Sequence, residues 1–87
     1  MLPDVDLDHD IDHHAMVEAK IIRMANQIAT YFDSRPEAER AVGIAAHIND
    51  FWEPRMRTQL IELLARKSGV FKKEVVASGL HIKKPLP

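Results

Sequence analysis

The sequence predicts an all-α fold: a small bundle of three main helices and a short C-terminal helix, set between disordered tails. Three observations carry the prediction. Apolar residues recur at intervals of three and four through separate stretches, the period of one buried helix face. Pro36 and Pro54 stand where helices can begin, and Gly69 and Gly79 where they can stop. The one stretch that alternates like a strand, DVDLDHDID, does so with aspartate, which strands disfavour.

Residues 1–12 are expected to form an acidic disordered tail, because closely spaced like charges repel. The helical domain is expected over 13–79. Its first helix runs from about His13 to Tyr31 or Asp33, capped by Asp10 or Asp12. Val17, Ile21, Met24, Ala25, Ile28 and Phe32 make its apolar stripe, which Ile22 and Ala29 widen. The segment DSRPE then turns the chain, with capping-box spacing from Ser34 to Glu37 and Pro36 in the first turn.

The second helix covers about Arg35 to Phe51 and buries Ala41, Ile44, Ala45, Ile48 and Trp52. Its small residues suit a close neighbouring backbone. Gly43 costs up to about 1 kcal/mol against alanine in a helix interior, which a tight contact would offset. Pro54 closes this helix and opens the third, which runs to Arg66 or Lys67 with Met56, Leu60, Leu63 and Leu64 inward. A short fourth helix from about Val70 to Ala77 buries Phe71 and Val75, and residues 80–87 follow as a C-terminal tail.

Eighty-seven residues allow one domain. A chain this short buries only about 60–65% of its unfolded surface, so its core is marginal. With no cysteine, neither a disulfide nor a thiolate metal site can reinforce it. Regular packing or a partner must do so, and the broad apolar faces allow a homodimer when the chain is isolated. The net charge of −1 conceals a gradient. Residues 1–12 hold five aspartates and no lysine or arginine, while residues 13–87 set 12 basic groups against 8 acidic ones. The basic C-terminal part lacks the interleaved aromatics of a nucleic-acid platform, so solvated helix faces are the favoured reading. No apolar run approaches the roughly 20 residues of a membrane span, and no signal-peptide pattern opens the chain. The cytoplasm is the expected location.

Few residues invite chemistry. His9, Asp10, Asp12, His13 and His14 offer metal donors, but on a segment with little to fix a tetrahedral site, so no metal site is assigned. His47 and Asp50 lie three apart on one helix face and read as a surface pair. No phosphate loop, nucleophile elbow or paired carboxylates accompany them, so no catalytic residue is assigned.

The residues with an unusual pattern point to an interface instead. Arg23, Asn26 and Gln27 share the lateral side of helix one, and Asn26 is a mediocre helix former in mid-helix. An amide there can bridge to the corner between helices two and three. At that corner, NDFWEPRMR places Trp52 beside Phe51 and puts Arg55 and Arg57 at the positive end of a helix dipole. Phe51 and Trp52 are expected to seal the corner, with an exposed anchor as the alternative for the pair. Arg55 and Arg57 are expected to face a partner's carboxylates. The candidate interface is Arg23, Asn26, Gln27, Trp52, Arg55 and Arg57.

These residues also carry a resemblance. RMANQIATYF (23–32) followed by HINDFWEPRMRTQLIELL (47–64) resembles the delta subunit of NAD-dependent, molybdenum-containing formate dehydrogenase, over about residues 17–78. The motif residues are Arg23, Met24, Ala25, Asn26, Gln27 and Ile28, then His47, Phe51 and Trp52, then Pro54, Arg55, Met56 and Arg57. The resemblance implies a non-catalytic, cofactor-free accessory subunit of a cytoplasmic complex that oxidises formate to carbon dioxide. It implies that other subunits carry the molybdenum cofactor, iron–sulfur clusters, FMN and NAD. It further implies that this chain supports assembly or stability by contacting the large alpha subunit. The alternatives are a free-standing adaptor or cofactor-maturation chaperone, and a small nucleic-acid module using Lys72, Lys73, Lys83 and Lys84.

Overall fold

The computed structural model describes the backbone of residues 4–85 and the side chains of residues 16–85. Its elements are α1 (Asp4–Tyr31), α2 (Glu37–Phe51), α3 (Pro54–Arg66) and α4 (Lys73–Ser78). Tight 3-10 turns follow α1 (Phe32–Ser34), α3 (Ser68–Val70) and α4 (Gly79–His81). There is no strand among the described residues. The all-α class and the order of four helices are those the apolar spacing predicts.

The helix ends show where local rules compete. α1 begins at Asp4, ahead of the His13 expected from periodicity. Aspartates near a helix start are favoured by the dipole there. The side chains of the acidic stretch lie outside the described residues, as do those of the His9–His14 donors. α2 begins at Glu37, two residues later than expected. Pro36 pushes the residue before it out of the α region, and Arg35 is extended at φ −91°, ψ 158°. Pro36 itself becomes the cap, so the Ser34–Glu37 capping box does not form and no side chain caps α2. Arg40 supports the turn instead, donating from Nε to the Arg35 carbonyl (2.9 Å) and from Nη2 to the Asp33 carbonyl (3.1 Å).

At the next corner Pro54 is the first residue of α3, as predicted, behind an extended Glu53. α4 starts at Lys73 rather than Val70, because the chain around Phe71 is held extended (φ −105°, ψ 150°) by a side chain of α1 described below. No described glycine adopts a positive φ. Gly79 therefore does not stop α4 in a left-handed conformation; it leads α4 into the last 3-10 turn.

The core joins all four helices. Ile21, Ala25 and Ala29 come from α1, Ile44, Ala45 and Ile48 from α2, and Leu60 and Leu63 from α3. Phe71 and Val75 at α4, with Trp52 and Ile82, complete it. α2 packs most extensively on α4, and α1 on α3. A two-pronged ion pair fastens the second contact: Glu18 meets Arg66 Nη2 and Lys67 Nζ at 3.1 Å each. These cations sit at the end of α3, where the dipole also favours them. Their hydrogen bonds, that from Arg66 foremost, hold the Glu18 carboxyl below its ordinary value of 4.5.

The segment after Leu80 runs extended at Ile82 but is not a free tail. Ile82 is only 7% exposed, and the flanking backbone is bonded to the α2–α3 corner.

A candidate binding surface between α1 and α2

The chain has two asparagines, Asn26 and Asn49, and both do the same work. Asn26 donates from Nδ2 to the Val70 carbonyl (3.1 Å) and accepts the Lys72 N–H at Oδ1 (2.9 Å). Asn49 donates to the His81 carbonyl (3.1 Å) and accepts the Lys83 N–H (2.8 Å). Each amide thus satisfies a carbonyl and an N–H two residues apart, as a neighbouring strand would. The residue between them, Phe71 or Ile82, goes into the core. The amide of Asn26 bridges to the α3–α4 connection, not to the α2–α3 corner expected from sequence.

Arg57 is also turned inward. It donates to the carbonyls of Trp52 (3.1 Å) and Lys83 (3.2 Å), with a longer 3.5 Å approach to that of Asn49. It joins the end of α2 to the C-terminal segment, so it does not face outward as expected. Trp52 is 6% exposed and belongs to the core. Phe51, expected to seal the corner with it, is 74% exposed. Adjacent residues leave a helix in different directions, so only one of the pair can face the core. Of the six residues singled out as an interface, Asn26, Trp52 and Arg57 hold the fold together. Arg23, Gln27 and Arg55 remain exposed.

Gln27 lines the widest apolar recess described, an open trough of about 540 Å³ between α1 and α2. One wall is Met24, Gln27, Ile28 and Tyr31 of α1 with Phe32 just after it; the other is His47 and Phe51 of α2 with Trp52 just after it. The Tyr31 and Phe32 rings meet edge to face at 5.3 Å, and His47 lies against Phe51 at 4.8 Å. The Arg35 guanidinium sits over the Phe32 ring, 5.6 Å from its centroid. Phe32 owes its position to Gly43: a Cβ at 43 would stand 2.6 Å from Phe32 Cε1. The tight contact that offsets this helical glycine is therefore an aromatic ring, not a neighbouring helix backbone.

Tyr31 is 70% exposed, so with Phe51 it places two large rings in water on opposite lips of the trough. Contiguous apolar surface of this kind marks a contact site more often than scattered exposed residues do. The chemistry available is that of binding. His47 and Tyr31 are the only titratable groups lining the trough, and no carboxylate or nucleophile accompanies them. His47 rests on Phe51, and no hydrogen bond or ion pair joins it to Asp50. Among the described residues, no three His, Asp or Glu side chains gather as a metal site would require. Lys72 and Lys73 approach Asp33 (3.7 Å) and Glu37 (4.0 Å), so half of the lysine set considered for nucleic acid is already partnered. No described helix is long and apolar enough to cross a membrane.

Sequence reasoning missed Asn49 and the pairing of Tyr31 with Phe51. The signal for Asn49 lay in its likeness to Asn26, a second helix-disfavoured amide on a helix. The lips of the trough needed the packing of α1 on α2 and had no local signal.

Comparison with protein families matches residues 20–78 to the family described as "NADH-dependant formate dehydrogenase delta subunit FdsD". The match covers both asparagines, the trough and the Trp52–Arg57 corner. Comparisons with curated proteins and with solved structures gave no match. The chain belongs to the family of formate dehydrogenase delta subunits.

Proposed function

We propose that this chain is a non-catalytic accessory subunit of a cytoplasmic, NAD-dependent formate dehydrogenase. In this reading it supports assembly or stability of the complex by binding the large molybdenum-containing alpha subunit. The molybdenum cofactor, iron–sulfur clusters, FMN and NAD are then borne by other subunits. The observation that carries the proposal is the exposed trough with Tyr31 and Phe51 on its lips, in a chain of this family; no carboxylate is among the described residues lining that trough. A core this small also gains from a partner, since binding to the folded state stabilises it by mass action.

The test is removal of the gene, followed by gel filtration of the remaining subunits and assay of formate-dependent NAD⁺ reduction. The proposal expects an incomplete or unstable complex with reduced activity, restored when the chain is supplied again. Normal assembly and normal formate oxidation without it would sink the proposal. An adaptor or maturation chaperone would leave the finished enzyme, so co-purification at fixed stoichiometry separates the two readings.

A further inference from the structure

Resting on that reading, we infer that the trough receives an amphipathic helix of a partner subunit, with carboxylates beside its apolar stripe. Shape is the first argument. The α1 wall runs from Met24 to Tyr31, a spacing of seven residues and about 10.5 Å. That equals the distance from i to i+7 on a docked helix, whose anchors at i, i+3 or i+4, and i+7 are the usual contacts of a helix in a groove. The trough is also open. A small-molecule pocket covers most of its ligand, whereas Tyr31 and Phe51 stand 70% and 74% exposed.

Charge is the second argument. From Ala19 to Tyr31, α1 carries Lys20 and Arg23 and no carboxylate. Beyond α2, Arg55 lies three residues past Trp52 in the exposed first turn of α3. None of the three makes an ion pair among the described residues, although Glu18, Asp33, Glu37 and Glu74 all do. Asp50 and Glu53 are the acidic groups near this end, and both are exposed outside the trough lining. An acidic-flanked helix matches these cations, of which Lys20 and Arg23 line the recess with Met16 and Val17, one turn before Met24 of the trough. A second copy of this chain fits less well, because a two-fold contact sets each patch against itself and would bring Lys20 and Arg23 near their own equivalents.

The test uses the assembled complex with Phe51 replaced by benzoylphenylalanine, cross-linked by light and mapped by mass spectrometry. The same replacement at Val42, which is 54% exposed and outside the trough lining, is the control. Cross-links from position 51 should fall in one partner helix with apolar i, i+3/i+4, i+7 spacing and flanking Asp or Glu. Position 42 should not reach that helix. In parallel, Lys20→Glu with Arg23→Glu should slow association about two- to tenfold and flatten its salt dependence, as expected for charges at the rim of a contact. Melting of the isolated chain reports whether the variant still folds.

Cross-links to a second copy, to a non-helical or uncharged segment, or to nothing while the complex stays intact would overturn the inference. The accessory-subunit reading would survive each of these. Failure of the unaltered chain to associate with the other subunits would overturn both.

Discussion

Asn26→Ala separates two accounts of α1 by the sign of its effect. If Asn26 were part of a solvated helix face, alanine would stabilise the chain by about 0.6 kcal/mol through helix propensity. In the structure the amide makes two hydrogen bonds, at 3.1 and 2.9 Å, to backbone groups 44 and 46 residues away. Each such bond contributes about 0.5–1.5 kcal/mol net, so their loss destabilises by about 1–3 kcal/mol. After the propensity gain, a net loss of roughly 0.5–2.5 kcal/mol remains. For a domain of this size each kcal/mol moves the midpoint by about 4–8 °C, so Tm should fall by between about 2 and 20 °C. Amide exchange gives the mechanism: the Lys72 N–H should lose protection in the variant, and the Lys83 N–H, held by Asn49, should lose less. A Tm that rises, with Lys72 exchange unchanged, would refute the reasoning.

Arg57→Ala should lower stability by about 1–2 kcal/mol, because charged donors to the Trp52 and Lys83 carbonyls are lost, whereas Arg55→Ala should leave thermal melting unchanged. Lysine at 57 should not rescue, since a point ammonium cannot span carbonyls that a planar guanidinium reaches together. Gly43→Ala sets about 1 kcal/mol of helix propensity against overpacking of about 1–3 kcal/mol on the Phe32 ring. It should therefore be neutral to about 2 kcal/mol destabilising, and a clear rise in Tm would contradict the close contact. Glu18 has a lowered folded-state pKa, so its contribution is present above about pH 4.5 and is lost as pH falls through the folded value. Glu18→Gln should accordingly flatten the acid limb of a stability-against-pH curve below that pH, an effect that high salt should shrink.

The helical class and the principal core residues were legible because periodicity records them directly. Ile21, Ala25, Ile44, Ile48, Leu60 and Leu63 lie on the stripes their spacing defines. The turns were less legible because two local rules compete at each. Ser34 has capping spacing, yet Pro36 forces Arg35 extended and prevails. The C-terminal segment read as a tail because nothing local orders Ile82; the order comes from Asn49 and Arg57, remote in sequence. The same remoteness misled the reading of the interface. Asn26 and Arg57 are conspicuous in the sequence as polar groups without local partners. Asn26 is bonded to backbone groups of a distant segment, and Arg57 divides its donors between the nearby Trp52 carbonyl and the distant Lys83 carbonyl. The exposed rings, Tyr31 and Phe51, look like ordinary helix-end aromatics until α1 and α2 are packed together.

The central claim is that the lips of the trough bind the rest of the enzyme. The most direct measurement is co-purification of a Tyr31→Ser, Phe51→Ser chain with the other formate dehydrogenase subunits, in cells lacking the unaltered copy. Both rings are more than two-thirds exposed, so the isolated variant should keep its helicity and melt within a few degrees of the parent. The account predicts that this folded variant separates from the complex on gel filtration. Retention at full stoichiometry would contradict it.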